Sequence, residues 1–303
     1  MTQFTYGEFT EVKNTEKYVI ETATFKLGDE KEYFATYWKP QQVDQPRGLV
    51  FISHGINEYI CPSYDEVSER LVEEGFLVFG HDHIGHGRSS GQRVQIETLD
   101  DYVHPVLCHV KKVSLNYGNS LPLFIIGHSM GGLITAYCTI QEPDLFNAIV
   151  LNGPCIKMNP EVATPFKKML ASVFRNILPS FALGGVNPPD ITRDQKVVER
   201  VKNDPLCWHG GFRTQLSYVL LEATDQLLDG SALKKINSPI LILQGQKDKL
   251  VDPSGAAFAH DNVSSKEKKV KIYEEGFHNL YVELDDVKLS AIQETCDWIS
   301  KHV

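Results

Sequence analysis

Residues 123–133 read Leu123-Phe124-Ile125-Ile126-Gly127-His128-Ser129-Met130-Gly131-Gly132-Leu133, an apolar run that breaks into Gly-x-Ser-x-Gly. Four consecutive apolar residues stopped by glycine predict a short buried strand, and the Ala-, Leu- and Ile-containing stretch that follows predicts a helix over 130–141. Gly-x-Ser-x-Gly alone is a weak signal; its position between strand and helix gives it weight. The turn there is so tight that the residues two before and two after the serine must be nearly without side chains. Ser129 is thereby pushed into a strained, exposed position at a sheet edge, beside a helix N-terminus that favours developing negative charge.

The same alternation extends in both directions. Residues 18–25 and 33–38, separated by Gly28-Asp29, read as an antiparallel hairpin, and Leu49–Ser53 as a buried strand ending in His54-Gly55. A helix over 64–74 stops at Gly75, followed by a strand over 76–80, a helix over 99–116 and a strand at Ala148–Asn152. After a gap the pattern resumes with a strand at Ile240–Gly245, a short helix after Pro253, a strand over 270–274 and a helix over 287–302. Short apolar strands alternating with amphipathic helices predict an α/β fold whose mostly parallel sheet is covered on both faces. The gap contains Pro160, Pro165, Pro179, Pro188, Pro189 and Pro205 and no convincing strand. An insertion at the carboxyl edge of such a sheet would lie over the crevice. The expected division is a core of 1–153 with 238–303, and a helical cap of 154–237. Within the cap, Phe166, Met169, Leu170, Val173 and Phe174, continued by Ile177 and Leu178, recur at helical spacing. They describe either a lid helix resting on the domain beneath or one that also lines an acyl tunnel or dips into a membrane surface.

The whole chain narrows the field. Its 303 residues carry a net charge of −9 and are 42% hydrophobic. That is ample for a core and ill-suited to nucleic acid, which needs a concentrated basic surface. The longest apolar runs are far below the roughly 20 residues that cross a bilayer. The first residues lack both a basic and an apolar leader region, so a cytoplasmic protein is expected. Cys61, Cys108, Cys138, Cys155, Cys207 and Cys296 are scattered and read as free thiols.

An alcohol is a poor nucleophile at neutral pH, so Ser129 requires a base held by an acid. On this scaffold the chain order is Ser, acid, His. Asp248 follows the strand at Ile240–Gly245, with Asp252 a competing acid on the same loop, and His278 follows the last strand. Two backbone donors are needed for the oxyanion of a tetrahedral intermediate. The N–H of Met130 is one; the N–H of Ile56, in the loop His54-Gly55-Ile56, is assigned as the other. His81-Asp82-His83 with His86 resembles a metal cluster superficially, but the spacing of hydrolytic zinc is missing, and neither metal nor cofactor is expected.

The order His54-Gly55, Asp82-x-x-Gly-His-Gly87-x-Ser89, Gly127-His-Ser-Met-Gly131, Asp248 and His278 resembles monoglyceride lipase and its lysophospholipase-like relatives, which have the α/β-hydrolase fold. Asn152-Gly-Pro154, Leu178-Pro-Ser180 and Asn203-Asp-Pro-Leu206 extend the resemblance into the cap. It implies hydrolysis of monoacylglycerol to fatty acid and glycerol through an acyl-serine, without a cofactor. It further implies a cytosolic enzyme that touches membranes through its cap, commonly as a homodimer. Glu58 is kept, but Asn57 stands where the family has a glycine, Pro62-Ser63-Tyr64 where it has an arginine, and Tyr281 where it often has a histidine. These are head-group positions in the family, so the resemblance makes Glu58 and Tyr281 substrate-binding residues. It also leaves a lysophospholipid or another carboxylic ester as alternatives. A catalytically inactive binding module would need a broken triad or oxyanion loop, and a peptidase an acidic cluster reading the substrate amine.

Overall fold

The computed structural model describes residues 4–15, 17–28, 31–41, 45–161, 163–175, 177–182 and 184–303. Three antiparallel strands, β1 (Phe4–Asn14), β2 (Tyr18–Leu27) and β3 (Lys31–Pro40), lead into β4 (Leu49–Ser53), α1 (Asp65–Glu73) and β5 (Leu77–His81). There follow α2 (Asp100–Asn116), β6 (Leu123–His128), α3 (Met130–Gln141) and β7 (Ala148–Asn152). Next come α4 (Pro165–Phe174), α5 (Gln195–Asn203) and α6 (Thr214–Leu227). The chain ends with β8 (Ile240–Gly245), α7 (Ser254–Asn262), β9 (Lys268–Tyr273) and α8 (Asp285–Lys301). One nine-stranded sheet runs β1-β2-β3-β5-β4-β6-β7-β8-β9, parallel from β5 onward.

The central strands are apolar because both faces are covered. Leu49 and Phe51 face one way with Ile125, against Val106 of α2 and Leu133 of α3. Val50 and Ile52 face the other with Phe124 and Ile126, against Val67 of α1 and Ile292 of α8. All of these side chains are buried, each contributing roughly 1.5–3 kcal/mol relative to exposure. After β4 the chain turns to β5 on one side and then crosses back to β6 on the other, so the strand order reverses at β4. Ligands of open α/β sheets bind at such a switch point. Ser53 lies in register with Gly127, and the loops that follow β4 and β6 leave the sheet side by side.

Strand β1 is absent from the expectation drawn from the sequence. Its alternation slips phase around Gly7, and the pairing with β2 shows register shifts between Tyr6 and Phe9 and between Phe9 and Glu11. A bulged strand carries no clean period of two. Between β7 and β8 the described residues contain α4–α6, two single 3-10 turns and no strand. Pro165 opens α4, where its missing N–H costs nothing.

Five histidines fill the interior beneath the β4 and β5 ends. His81 Nδ1 lies 3.1 Å from His109 Nδ1, whose Nε2 meets the Tyr37 hydroxyl at 2.8 Å. His83 Nε2 meets the Ser53 hydroxyl at 3.1 Å, and His54 and His86 pack beside it. Burial pushes all five imidazoles below their ordinary range, His86 to about 4 and His109 to about 3. The unfolded chain therefore binds more protons than the folded one below the ordinary histidine value, and stability is lost as pH falls from about 6.5. Asp65 and Asp82, raised to about 6 by burial, act in the opposite sense and offset part of this. Urea midpoints measured from pH 7 to pH 4.5 should fall, with net uptake of more than one proton on unfolding. A midpoint that is flat or rises toward pH 5 would contradict neutral buried imidazoles.

Candidate active site

Ser129 occupies the turn between β6 and α3 with φ +54° and ψ −118°, a conformation costly for a residue with a side chain. Its neighbours explain how the turn survives. A Cβ on Gly127 would lie 2.3 Å from the Gly131 carbonyl oxygen, and one on Gly131 only 2.0 Å from that of Ser53. The Ser129 N–H is held by the Asn152 carbonyl at 3.1 Å, tying the bend to β7. The Met130 N–H lies in the first turn of α3, where the helix leaves its N–H groups without intrahelical acceptors.

His278 lies in the loop after β9, and its Nδ1 meets Asp248 Oδ2 at 2.7 Å. Asp248 Oδ2 also accepts from Gln244 Nε2 at 3.1 Å, and Oδ1 from the N–H groups of Leu250 and Val251 at 2.8 and 3.1 Å. Burial raises the Asp248 pKa. The facing His278 and these N–H donors outweigh it and hold the carboxyl below the usual range. Asp252 is engaged elsewhere, with Lys157 Nζ at 2.9 Å and the Ser254 N–H at 2.9 Å. Ser129, Met130 and His278 line one largely apolar cavity of about 260 Å³.

The loop after β4 is braced from both sides. His54 Nε2 accepts the His83 N–H at 2.8 Å, so its Nδ1 carries the proton and donates to the Gly55 carbonyl at 2.7 Å. In a trans peptide the N–H points opposite to the C=O. Fixing the Gly55 carbonyl thus aims the Ile56 N–H the other way, and Ile56 lines the cavity. Glu58 Oε1 accepts from the Gly55 N–H at 2.7 Å and from the Tyr64 hydroxyl. Burial pushes the Glu58 carboxyl up. Asn57, with φ +66°, keeps the left-handed turn that asparagine tolerates better than most residues, and its carbonyl accepts the Trp208 N–H at 3.0 Å.

Comparison with known proteins fits this arrangement. A family model described as serine aminopeptidase, S33, matches residues 44–285. The monoglyceride lipase of Homo sapiens is 36% identical over 274 residues, covering 90% of this chain and 88% of the relative. That of Rattus norvegicus is 34% identical over 275 residues, covering 91% and 89%. The chain belongs to the monoglyceride lipase family. Among solved structures, a soluble variant of monoglyceride lipase from Saccharomyces cerevisiae in complex with a substrate analog shares the fold. Its TM-score is 0.83 at 22% identity, and the match covers 97% of this chain and 98% of that one.

Within this family's fold, the structure corrects several assignments of substrate-contacting residues. Glu58 does line the cavity, beside Asn57 and Ser63, while one of its oxygens braces the loop. Tyr281 does not reach it. Its side chain is 2% exposed in the core against α8, and its hydroxyl meets Thr295 Oγ1 at 2.8 Å, because the turn after Asn279 directs it under the sheet. The α4 residues are displaced as well. Met169 and Val173 are 52% and 53% exposed, Phe174 packs on Phe181, and neither they nor Leu170 line the cavity. Phe166 lies outside the residues whose side chains are described. The apolar wall comes instead from Val197 and Val201 of α5, Leu216 and Leu220 of α6, and Phe212. The pairs 197/201 and 216/220, each spaced by four, were the available signal.

Replacing Tyr281 with phenylalanine should therefore lower stability by about 1 kcal/mol, the worth of one buried hydrogen bond. The ratio of kcat/KM values for monoacylglycerol and a simple methyl ester should stay unchanged; a shift of fivefold or more in that ratio would return Tyr281 to the substrate.

Proposed function

We propose that this chain hydrolyses monoacylglycerol to a fatty acid and glycerol, with Ser129 as nucleophile, His278 as general base and Asp248 as the acid orienting it. One observation carries the reading: an imidazole braced by a buried carboxylate at 2.7 Å shares a largely apolar cavity with a serine on a positive-φ turn. Asp248 holds the Nδ1 proton, which leaves Nε2 free to take the Ser129 proton as Oγ attacks the ester carbonyl. The oxyanion of the tetrahedral intermediate is received by the N–H groups of Met130 and Ile56. Collapse releases glycerol, which takes the proton from His278. Water, deprotonated by the same imidazole, then cleaves the acyl-serine to fatty acid.

The relatives named as monoglyceride lipases support the substrate, and the apolar wall from α5 and α6 supports a long acyl chain. We read residues 154–237 as a cap over the site, since Val186, Trp208 and Leu216 of that segment share the cavity with Ser129. Met169, Val173, Ile177, Leu178 and Phe181 are all exposed there, which supports contact of this face with a lipid surface. Among the described residues no helix is long and apolar enough to cross a membrane.

Ser129→Ala should lower turnover by a factor of about a million without unfolding the protein. A fluorophosphonate probe should label the wild type at Ser129, and labelling of another residue would refute the assignment. Val173→Asp should slow hydrolysis of monoacylglycerol presented in phospholipid vesicles several-fold while sparing p-nitrophenyl acetate in solution. Equal losses on both would argue against a lipid-facing role.

A further inference from the structure

We infer that Glu283 and Arg193 form a positioning device for His278, through which the segment covering the site sets the reactive geometry of the base. The inference rests on the reading of His278 as that base. Glu283 is buried, and both of its oxygens are fully engaged. Oε1 accepts the Phe277 N–H at 3.0 Å and the Arg193 N–H at 3.2 Å; Oε2 accepts Arg193 Nε at 2.8 Å and the Leu284 N–H at 3.0 Å. One carboxylate thus joins the residue immediately before His278 to the chain between β7 and β8.

Ile191 and Thr192, the two residues before Arg193, grip the loop at further points. The Ile191 carbonyl accepts the N–H groups of both His278 and Asn279, at 3.1 and 3.0 Å. The Thr192 hydroxyl donates to the Val282 carbonyl at 2.8 Å. Consecutive N–H groups at 277, 278 and 279 therefore all end on acceptors that are either Glu283, itself tied to Arg193, or Ile191. Among the described residues Arg193 is the only cation that donates to Glu283, and its Nη2 also donates to Asp286 Oδ1 at 2.9 Å, which anchors it to the start of α8. On the opposite side the loop is pressed against Gly153, where a Cβ would come within 2.4 Å of the His278 carbonyl oxygen.

A buried carboxylate with four donors fixes direction more tightly than a neutral acceptor, because charge-assisted bonds are shorter and stronger. Removing the charge leaves the N–H groups of His278 and Asn279 on the Ile191 carbonyl but frees the Phe277 N–H next to the imidazole, which can then rotate by the small angles that matter in a near-attack geometry. Neither side chain lines the cavity, so substrate affinity should be indifferent to them.

The test is steady-state kinetics on the full chain for Glu283→Gln, Glu283→Ala and Arg193→Ala, with turnover expressed per Ser129 titrated by a fluorophosphonate probe. Counting only titrated sites removes the effect of molecules that fail to fold. The expected result is a fall in kcat of tenfold or more for Glu283→Ala, a smaller fall for Glu283→Gln, and KM within twofold of wild type for both. Arg193→Ala should lose a similar factor and regain part of it on adding methylguanidinium, which refills the ion pair with Glu283. The downfield proton resonance of the His278–Asp248 bond should broaden or vanish in Glu283→Ala. Wild-type kcat per titrated site in Glu283→Ala and Arg193→Ala, whatever their melting temperatures, would overturn the inference. A His278→Ala control separates the two layers: if it retains turnover, the reading of His278 as base has failed, whereas its loss beside unaffected Glu283 and Arg193 variants sinks only the positioning role.

Discussion

Everything in the site depends on the backbone bend at Ser129. A residue with a side chain holds a left-handed φ of +54° there only because surrounding elements leave no alternative. Gly127 and Gly131 let β6, α3 and the end of β4 approach until no Cβ fits between them, and the Asn152 carbonyl takes the Ser129 N–H. The strain is offset by the burial of apolar strands on both sides of the sheet. It presents the hydroxyl at the switch point of the strand order, where the loops after β4 and β6 emerge together.

The groups around that bend are held by hydrogen bonds within the protein rather than by contacts with substrate. His54 holds the carbonyl of the Gly55–Ile56 peptide, Glu58 and Tyr64 hold the Gly55 N–H of the peptide before it, and Asp248 is itself fixed by Gln244 and two backbone N–H groups. Such preorganisation spares the reaction the cost of arranging dipoles when charge develops. The helical segment between β7 and β8 participates too. It reaches the loop after β4 through the Trp208 N–H and the bond from Tyr59 to Asp204, and the His278 loop through Ile191, Thr192 and Arg193. The segment read as a cap is thus hydrogen-bonded to both loops that flank Ser129.

Most of the sheet was legible because its strands obey simple rules. Leu49–Ser53, Leu123–His128 and Ile240–Gly245 are short, apolar and bounded by glycine or polar turns, as strands buried on both faces must be. Strand β1 was not, since its bulges break the period that reveals a strand. Ser129, Asp248 and His278 were legible from their places after particular strands, which local sequence records. The cavity wall was not. The apolar stripe on α4 and the pairs on α5 and α6 are alike as patterns, and amphipathicity reports that a helix has an apolar side without saying what that side meets.

By itself, then, the sequence determined the class of fold, the sharp bend at Ser129 and the placing of Asp248 and His278 after particular strands, because each depends on residues adjacent in the chain. Tertiary structure alone decided that Tyr281 turns into the core, that Met169 and Val173 face outward, and that Glu283 clasps Arg193 across 90 residues. The physical reason is that periodicity constrains a residue's face on its own element. Which partner that face meets is settled only when distant elements compete for the same volume and the same hydrogen-bond donors.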